Sequence, residues 1–391
     1  MRFESKGARP TRIGGAELKS GLTFGHLKLV SRIGKGGMGD VWKALDSTRD
    51  AHVALKFLPA EIQDSPREMR RVQQTFKAVQ ALQHPHICPV YFLEEFSGFG
   101  HVLGMKFIEG VTLLEYRDQY VDQHGSFPVE EVVRVLRPVA EALDYAHNPG
   151  VIHPEVTKAV VHRDIKPENV LVSPDGRGVQ IVDFGLVEQV RMSLTRVSKV
   201  EMDSAGTRLY MAPEQWRGQF QDGRTDQYAL AVVAYELLAD RLPFEVADPF
   251  QLRECVLNEP VEPLPDVPKH VNTALQRGLA KSREERFPSC SELIGAMGGL
   301  SAAAAQSGQS ASRPAESDSN LADQVRSVQS RVDAAHQEAR RLADESSDYA
   351  GAVSRLDEIP GHLREQAFYE SLVEKRDRTA ELESEIREAV S

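Results

Sequence analysis

A chain of 391 residues with 41% apolar residues is long enough for two or three domains and can bury at least one sizeable core. The formal net charge of −11 gathers in the tail, where residues 321–391 hold 16 acidic and 10 basic side chains, and this argues against a nucleic-acid-binding face. Three widely spaced cysteines form neither a disulfide framework nor a CxxC metal site, no apolar run reaches the roughly 20 residues that span a bilayer, and the N-terminus lacks the apolar core of a secretory signal. A cytoplasmic protein with no nucleic-acid or membrane partner is the expectation.

Residues 1–23 mix Gly, Arg, Lys and Ser without apolar period and read as a flexible leader. From residue 24, short β-rich runs at 26–33, 39–44 and 52–57 predict a small antiparallel sheet. Between the first two lies Ile33-Gly34-Lys35-Gly36-Gly37-Met38-Gly39-Asp40-Val41, a G-x-G-x-x-G pattern. Its glycines could make a plain hairpin turn, but joining strand to strand they also suit a flap whose backbone amides cover phosphates. Val53-Ala54-Leu55-Lys56 then puts a lysine on the next strand, where an ammonium could hold those phosphates.

After residue 129 the period becomes helical, with Val132, Val133, Leu136, Val139, Ala140 and Leu143 at steps of three and four. Pro138 inside that helix is predicted to cost hydrogen bonding or to kink it. Helices continue to about residue 299. The Ala, Ser, Gly and Gln of 298–320 read as a linker. Beyond it, Leu321, Val325, Val328, Val332, Ala335, Ala339 and Leu342 trace a heptad seam that Pro360-Gly361 ends after a second phase, so 321–391 is a helical tail. A helical hairpin and a coiled coil both fit it.

The chemistry concentrates in His162-Arg163-Asp164-Ile165-Lys166-Pro167-Glu168-Asn169, which brings a base, a cation and a metal ligand together. Phosphoryl transfer needs those parts. Fourteen residues beyond Asn169 stands Asp183-Phe184-Gly185, a second carboxylate for metal. With the flap and the strand lysine, this series resembles that of the bacterial Hanks-type serine/threonine protein kinases over about 24–297. The resemblance implies an α+β, two-lobed protein kinase fold: a β-rich N-lobe (24–108), an α-helical C-lobe (109–297) and an α-helical C-terminal extension.

It also implies roles. Asp164 would accept the hydroxyl proton or orient the substrate oxygen, Lys166 would stabilise charge on the transferred phosphoryl group, and Lys56 would hold the α- and β-phosphates of ATP. Asn169 and Asp183 would hold Mg²⁺, with Mn²⁺ as a substitute. Ile33, Val41, Ala54 and Leu171 would sandwich the adenine, Met105 would be the gatekeeper, and Phe107, Ile108 and Glu109 would offer backbone groups to the base. Gly206-Thr207 and Lys166 suit a Ser/Thr acceptor on a protein substrate. Asp226 would brace the catalytic loop and Arg286 would pair with Glu214.

Two departures stand out. The family's helix glutamate falls by spacing on Thr75, and the nearest upstream acid, Glu68, lies two helical turns or roughly 10 Å away. Either Glu68 arrives through a shifted helix, or a Gln substitutes, or transfer is weak and the chain is an ATP-binding pseudokinase or helical scaffold. The second departure is about nine extra residues within 148–161, between Tyr145-Ala146-His147 and the catalytic motif, read as a surface excursion. Arg163 before Asp164 goes with an activation segment ordered by phosphorylation, and Thr195 or a neighbouring Ser193, Ser198 or Ser204 is the expected autophosphorylation site. For the tail, a solvated hairpin and homodimerisation through 321–391 stay open.

Overall fold

The computed structural model describes residues 12–13, 16–36, 39–148, 159–184 and 208–299, with 348, 351 and 353–355 of the tail. Two compact units divide between residues 306 and 307. The flap tip Gly37-Met38, the insertion at 149–158, the segment 185–207 with Thr195 and Thr207, and nearly all of 300–391 lie outside the described residues.

The first unit begins with strands. A hairpin of β1 (Arg12–Ile13) and β2 (Ala16–Glu17) precedes β3 (Thr23–Phe24), β4 (Leu27–Gly36), β5 (Gly39–Asp46) and β6 (Ala51–Phe57); helices α1 (Ala60–Gln63) and α2 (Pro66–Gln80) then lead to β7 (Val90–Phe96) and β8 (Gly100–Lys106). The larger sheet runs β3-β4-β5-β6-β8-β7, antiparallel throughout. Of its strands, β6 and β8 are covered on both faces. On β6, Val53, Leu55 and Phe57 are fully buried in a core with Trp42, Leu27 and Leu29, while Ala54 faces a second cluster with Met69, Val72 and Met105. Period-two alternation thus splits one strand between core and cleft.

That core also takes in Leu18, 6% exposed, and the Gly21 amide bonds the Leu29 carbonyl at 2.8 Å. The lobe therefore packs upstream of Phe24, where the sequence places a flexible leader up to residue 23. A single apolar residue among polar neighbours has no period to announce it.

At the start of helix α2, Ser65 caps it by accepting the Glu68 amide at 3.4 Å, and Pro66 occupies the first turn, where its missing N–H costs nothing. Met69, Val72 and Val79 bury its inner face.

The helical lobe contains β9 (Val111–Thr112), α3 (Leu113–His124), α4 (Val129–His147), β10 (Val170–Val172), β11 (Val179–Ile181), α5 (Pro213–Arg217), α6 (Gly223–Ala239), α7 (Pro249–Asn258), α8 (Lys269–Gly278) and α9 (Cys290–Met297). Helix α6 is buried almost all round, from Thr225 to Leu237, which explains why its sequence reads as one apolar run rather than a stripe. Helix α4 runs through Pro138 as one 19-residue element. The apolar stripe on both sides of that proline, from Val132 to Leu143, is fully packed, and this offsets a lost hydrogen bond.

A small antiparallel sheet, β11-β10-β9, lies in this lobe. The connection after α2 is sewn to β11: the Cys88 amide donates to the Ile181 carbonyl at 2.9 Å and the Ile181 amide to the His86 carbonyl at 2.8 Å. This seam carries Val182 and Asp183 up to the underside of the N-lobe.

Candidate active site

The catalytic loop has no regular structure until a 3-10 turn at Pro167–Asn169, so its shape depends on side chains. Asp164, 5% exposed, receives two donors on its Oδ2: Lys166 Nζ at 3.0 Å and Asn169 Nδ2 at 3.1 Å. Asn169 Nδ2 also donates to the Asp164 carbonyl at 2.7 Å. The amide nitrogen being spent in this way, the Asn169 carbonyl oxygen remains as a ligand atom.

The ends of the loop are fixed from behind. Asp226, fully buried at the start of α6, accepts the His162 amide on Oδ2 and the Arg163 amide on Oδ1, both at 2.7 Å, and His147 Nε2 donates to its Oδ2 at 2.8 Å. Burial alone would raise this carboxyl; the hydrogen bond and charge of His147, with the Arg163 amide, bring it below the ordinary carboxylate range. Arg163 sits at φ 68°, a left-handed conformation disfavoured for such a side chain. Its amide is pinned by Asp226 and its carbonyl accepts Gln215 Nε2 at 3.0 Å, so both flanking groups hold the strained residue in place.

His162 is also fully buried. Its Nδ1 accepts the Asp164 amide at 3.3 Å and its Nε2 donates to the Val182 carbonyl at 3.2 Å, while its ring packs on Phe184 at 4.6 Å between centroids. One imidazole thereby couples the Asp164 loop to the strand end that carries Asp183. Asp183, at φ 62°, pairs with Lys56 Nζ, and Lys56 is 3% exposed. Burial pushes the Asp183 carboxyl up, but the ammonium of Lys56, with His162 and Lys166, holds it below its usual value. It is an anion facing the cleft.

The residues predicted for the base pocket come together in part. Ala54 and Met105 are direct partners across β6 and β8, and Val41, Phe107 and Ile108 pack against the cluster they form. Leu171, half-buried on β10, belongs to the opposite lobe, and Ile33 is 47% exposed at an irregularity of the β4–β5 ladder. Gly34, Lys35, Gly36 and Gly39 lie on the two flap strands, with Gly36 paired to Gly39. Asp40 is 4% exposed, on the strand face of Trp42 and Ala44 and opposite Val41, with Arg32 Nη1 3.8 Å away. Strand alternation sends its side chain into the N-lobe core rather than the cleft.

The helix carboxylate is absent in fact as well as in spacing. Glu68 is buried, but Arg71 Nη1 takes its Oε1 at 3.2 Å, and among the described residues the partner of Lys56 is Asp183. Elsewhere the expected ion pair is present: Arg286 Nη1 and Nη2 each donate to Glu214 at 2.9 Å, with Thr225 Oγ1 adding a third bond at 2.8 Å. Sequence reading missed His147 and Gln215 as supports of the loop. His147 lies 79 residues from Asp226 and carried no local signal of that contact.

A model of the protein kinase domain matches residues 27–295, about seven-tenths of the chain. The chain belongs to the protein kinase family. Among curated relatives, the serine/threonine-protein kinase PknE of Mycobacterium tuberculosis is 33% identical over 288 residues, covering 72% of this chain and 47% of the relative. The serine/threonine-protein kinase PknF of the same organism is 34% identical over 291 residues, covering 72% and 57%. This chain thus spans about half the length of the curated relatives it matches. A crystal structure of the M. tuberculosis PknI kinase domain superposes with a TM-score of 0.56 at 29% identity, covering 73% of this chain and 99% of that one. The Hanks-type resemblance and the two-lobed kinase fold are borne out. No described helix is long and apolar enough to cross a membrane.

Proposed function

We propose that this kinase is an active protein serine/threonine kinase that transfers the γ-phosphoryl group of ATP to protein hydroxyls. The observation that carries the reading is the convergence on one cleft of the Asp164–Lys166–Asn169 cluster and the Lys56–Asp183 pair. Asp164 serves as the base or orienting acceptor for the substrate hydroxyl. Lys166, already within hydrogen-bond reach of it, sits where negative charge develops on the phosphoryl oxygens.

The donor set fits Mg²⁺: an anionic Asp183 and the side-chain amide oxygen of Asn169 are hard oxygen ligands. When bound, the metal neutralises phosphate charge. Lys56 then serves the phosphates, and the pocket of Ala54, Met105, Val41, Phe107, Ile108, Ile33 and Leu171 takes the base under the glycine hairpin. The relatives named as serine/threonine kinases support the choice of acceptor. Three free cysteines among the described residues suit a cytoplasmic setting, as we read it.

The test is transfer from labelled ATP with Mg²⁺, to the protein itself and to a generic basic protein. Asp164→Asn is expected to cut the rate at least about 100-fold without unfolding the chain. Equal transfer by parent and variant, with nucleotide still bound, would sink the reading in favour of a nucleotide-binding scaffold. We also infer autophosphorylation between residues 185 and 207, with Thr195 first, to be checked by phosphopeptide mapping. Homodimerisation through 321–391 predicts a halved solution mass on deletion of that tail, beyond the loss of the tail itself.

A further inference from the structure

Behind the catalytic loop, α4 ends beside the start of α9. Asp144 and His147 are one helical turn apart on α4 and share a face, and Cys290 opens α9. Each of the three offers a ligand atom within 4.8 Å of the other two. We propose that Asp144, His147 and Cys290 form a binding site for a borderline divalent transition metal, Zn²⁺ foremost, that locks the brace behind the catalytic loop.

Spacing, ring orientation and donor chemistry support it. Zinc ligands lie about 2.0–2.3 Å from the ion and hence about 3.3–3.8 Å from one another, so the three groups need draw in by only about an ångström. The ring of His147 is already oriented as a ligand would be: Nε2 donates to the buried carboxylate of Asp226 at 2.8 Å, which leaves Nδ1 for the metal. Metal-bound histidines almost always donate their other N–H to such a group. Gly223 lies over the face of the same ring, where a Cβ would come within 2.5 Å of Nδ1, so glycine lets the imidazole seat against the start of α6 in this orientation.

The donor chemistry sets the class of ion. A thiolate, an imidazole and a carboxylate select zinc or cobalt, not the magnesium of the transfer reaction. Asp144 caps α9 by accepting the Cys290 amide on Oδ1 at 2.8 Å and the Ser291 amide on Oδ2 at 2.9 Å, and its carboxylate also accepts the Cys290 thiol, a bond that the metal would replace. Cys290 is 1% exposed, whereas Asp144 and His147 are half-buried, so the cluster meets solvent on the side of α4, and water would be the fourth ligand of a tetrahedral ion. On binding, the S–H bond breaks, an S–metal bond forms, and the proton leaves to solvent past Asp144. The ion then fixes His147, His147 fixes Asp226, and Asp226 holds the amides of His162 and Arg163.

The experiment titrates the full chain, freed of metal by a chelator, with Co²⁺ while recording the thiolate-to-cobalt charge-transfer absorption. The expected result is a band that saturates at one equivalent, is displaced by Zn²⁺, vanishes in Cys290→Ala and persists in Cys255→Ala. Asp144→Asn, which retains an acceptor for α9, is expected to weaken cobalt binding at least tenfold. Zinc is expected to raise the melting temperature of the parent and not of Cys290→Ala. Absence of a saturating band in the parent, or its survival in Cys290→Ala, overturns the site. If Cys290→Ala does not fold, the isosteric Cys290→Ser gives the same readout.

Discussion

On the C-lobe side of the cleft, Asp164 rests on a loop whose backbone is gripped by Asp226, Gln215 and, through them, by His147 and α6; on the N-lobe side, Lys56 meets Asp183 alone among the described residues. The first arrangement uses buried, multiply bonded groups and fixes geometry before any substrate arrives. The second pairs the lysine with the residue that we propose as a metal ligand. On the proposed reading, what differs is the order of assembly: the C-lobe half is preformed, and the N-lobe half would exchange one partner for another as nucleotide enters. Retention of the ion pair and loss of the helix carboxylate are therefore compatible in one enzyme.

The largest effect is expected from breaking the preformed half. Asp226→Asn places an amide N–H against donors that a carboxylate accepted, leaving buried groups unpaired, and is expected to cost about 3 kcal/mol in denaturant unfolding. The same variant tests pH dependence. Since the folded-state carboxyl lies below its ordinary value of 3.8, its stabilisation is complete above that value and is lost as pH falls through the lower folded value. Acid titration of unfolding free energy should fall less steeply below pH about 4 in the variant than in the parent. An equal slope would mean that Asp226 is not the group that matters.

A smaller, opposite effect is expected on the adjustable half. Thr75 shares the inner face of α2 with Val72 and Val79, so Thr75→Glu offers Lys56 a carboxylate in place of Asp183. Relief of that competition by about 1 kcal/mol corresponds to a rise in kcat/KM of roughly fivefold. A fall in kcat/KM would show that Asp183 is the better resting partner. The smallest effect belongs to Glu68→Gln. Its visible partner is the partly exposed Arg71, for which Gln keeps an oxygen acceptor, so the change should cost about 1 kcal/mol or less and leave transfer unaltered. A loss of transfer would reinstate Glu68 as a partner of Lys56 in a moved helix.

Much of this contrast has a simple origin in chain distance. Asp164, Lys166 and Asn169 lie within six consecutive residues, and a tight loop of that composition brings them into contact almost wherever it is placed. The period-two face that sets Ala54 and Lys56 toward the cleft is likewise local. The burial of Leu18 and Asp40 is not legible in the same way, because what covers them comes from other strands, and burial by distant partners leaves no periodic mark in a short segment.

The sequence by itself determined the family, the catalytic loop, the flap strands, the absence of a glutamate at residue 75 and the helical character of the C-lobe, because each is written in neighbouring residues. Only the tertiary structure decided which carboxylate Lys56 meets across 127 residues, and that His147 holds Asp226 across 79. Both contacts depend on how two lobes and two buried helices approach. That approach is set by the summed burial of many apolar side chains, none of which names its partner.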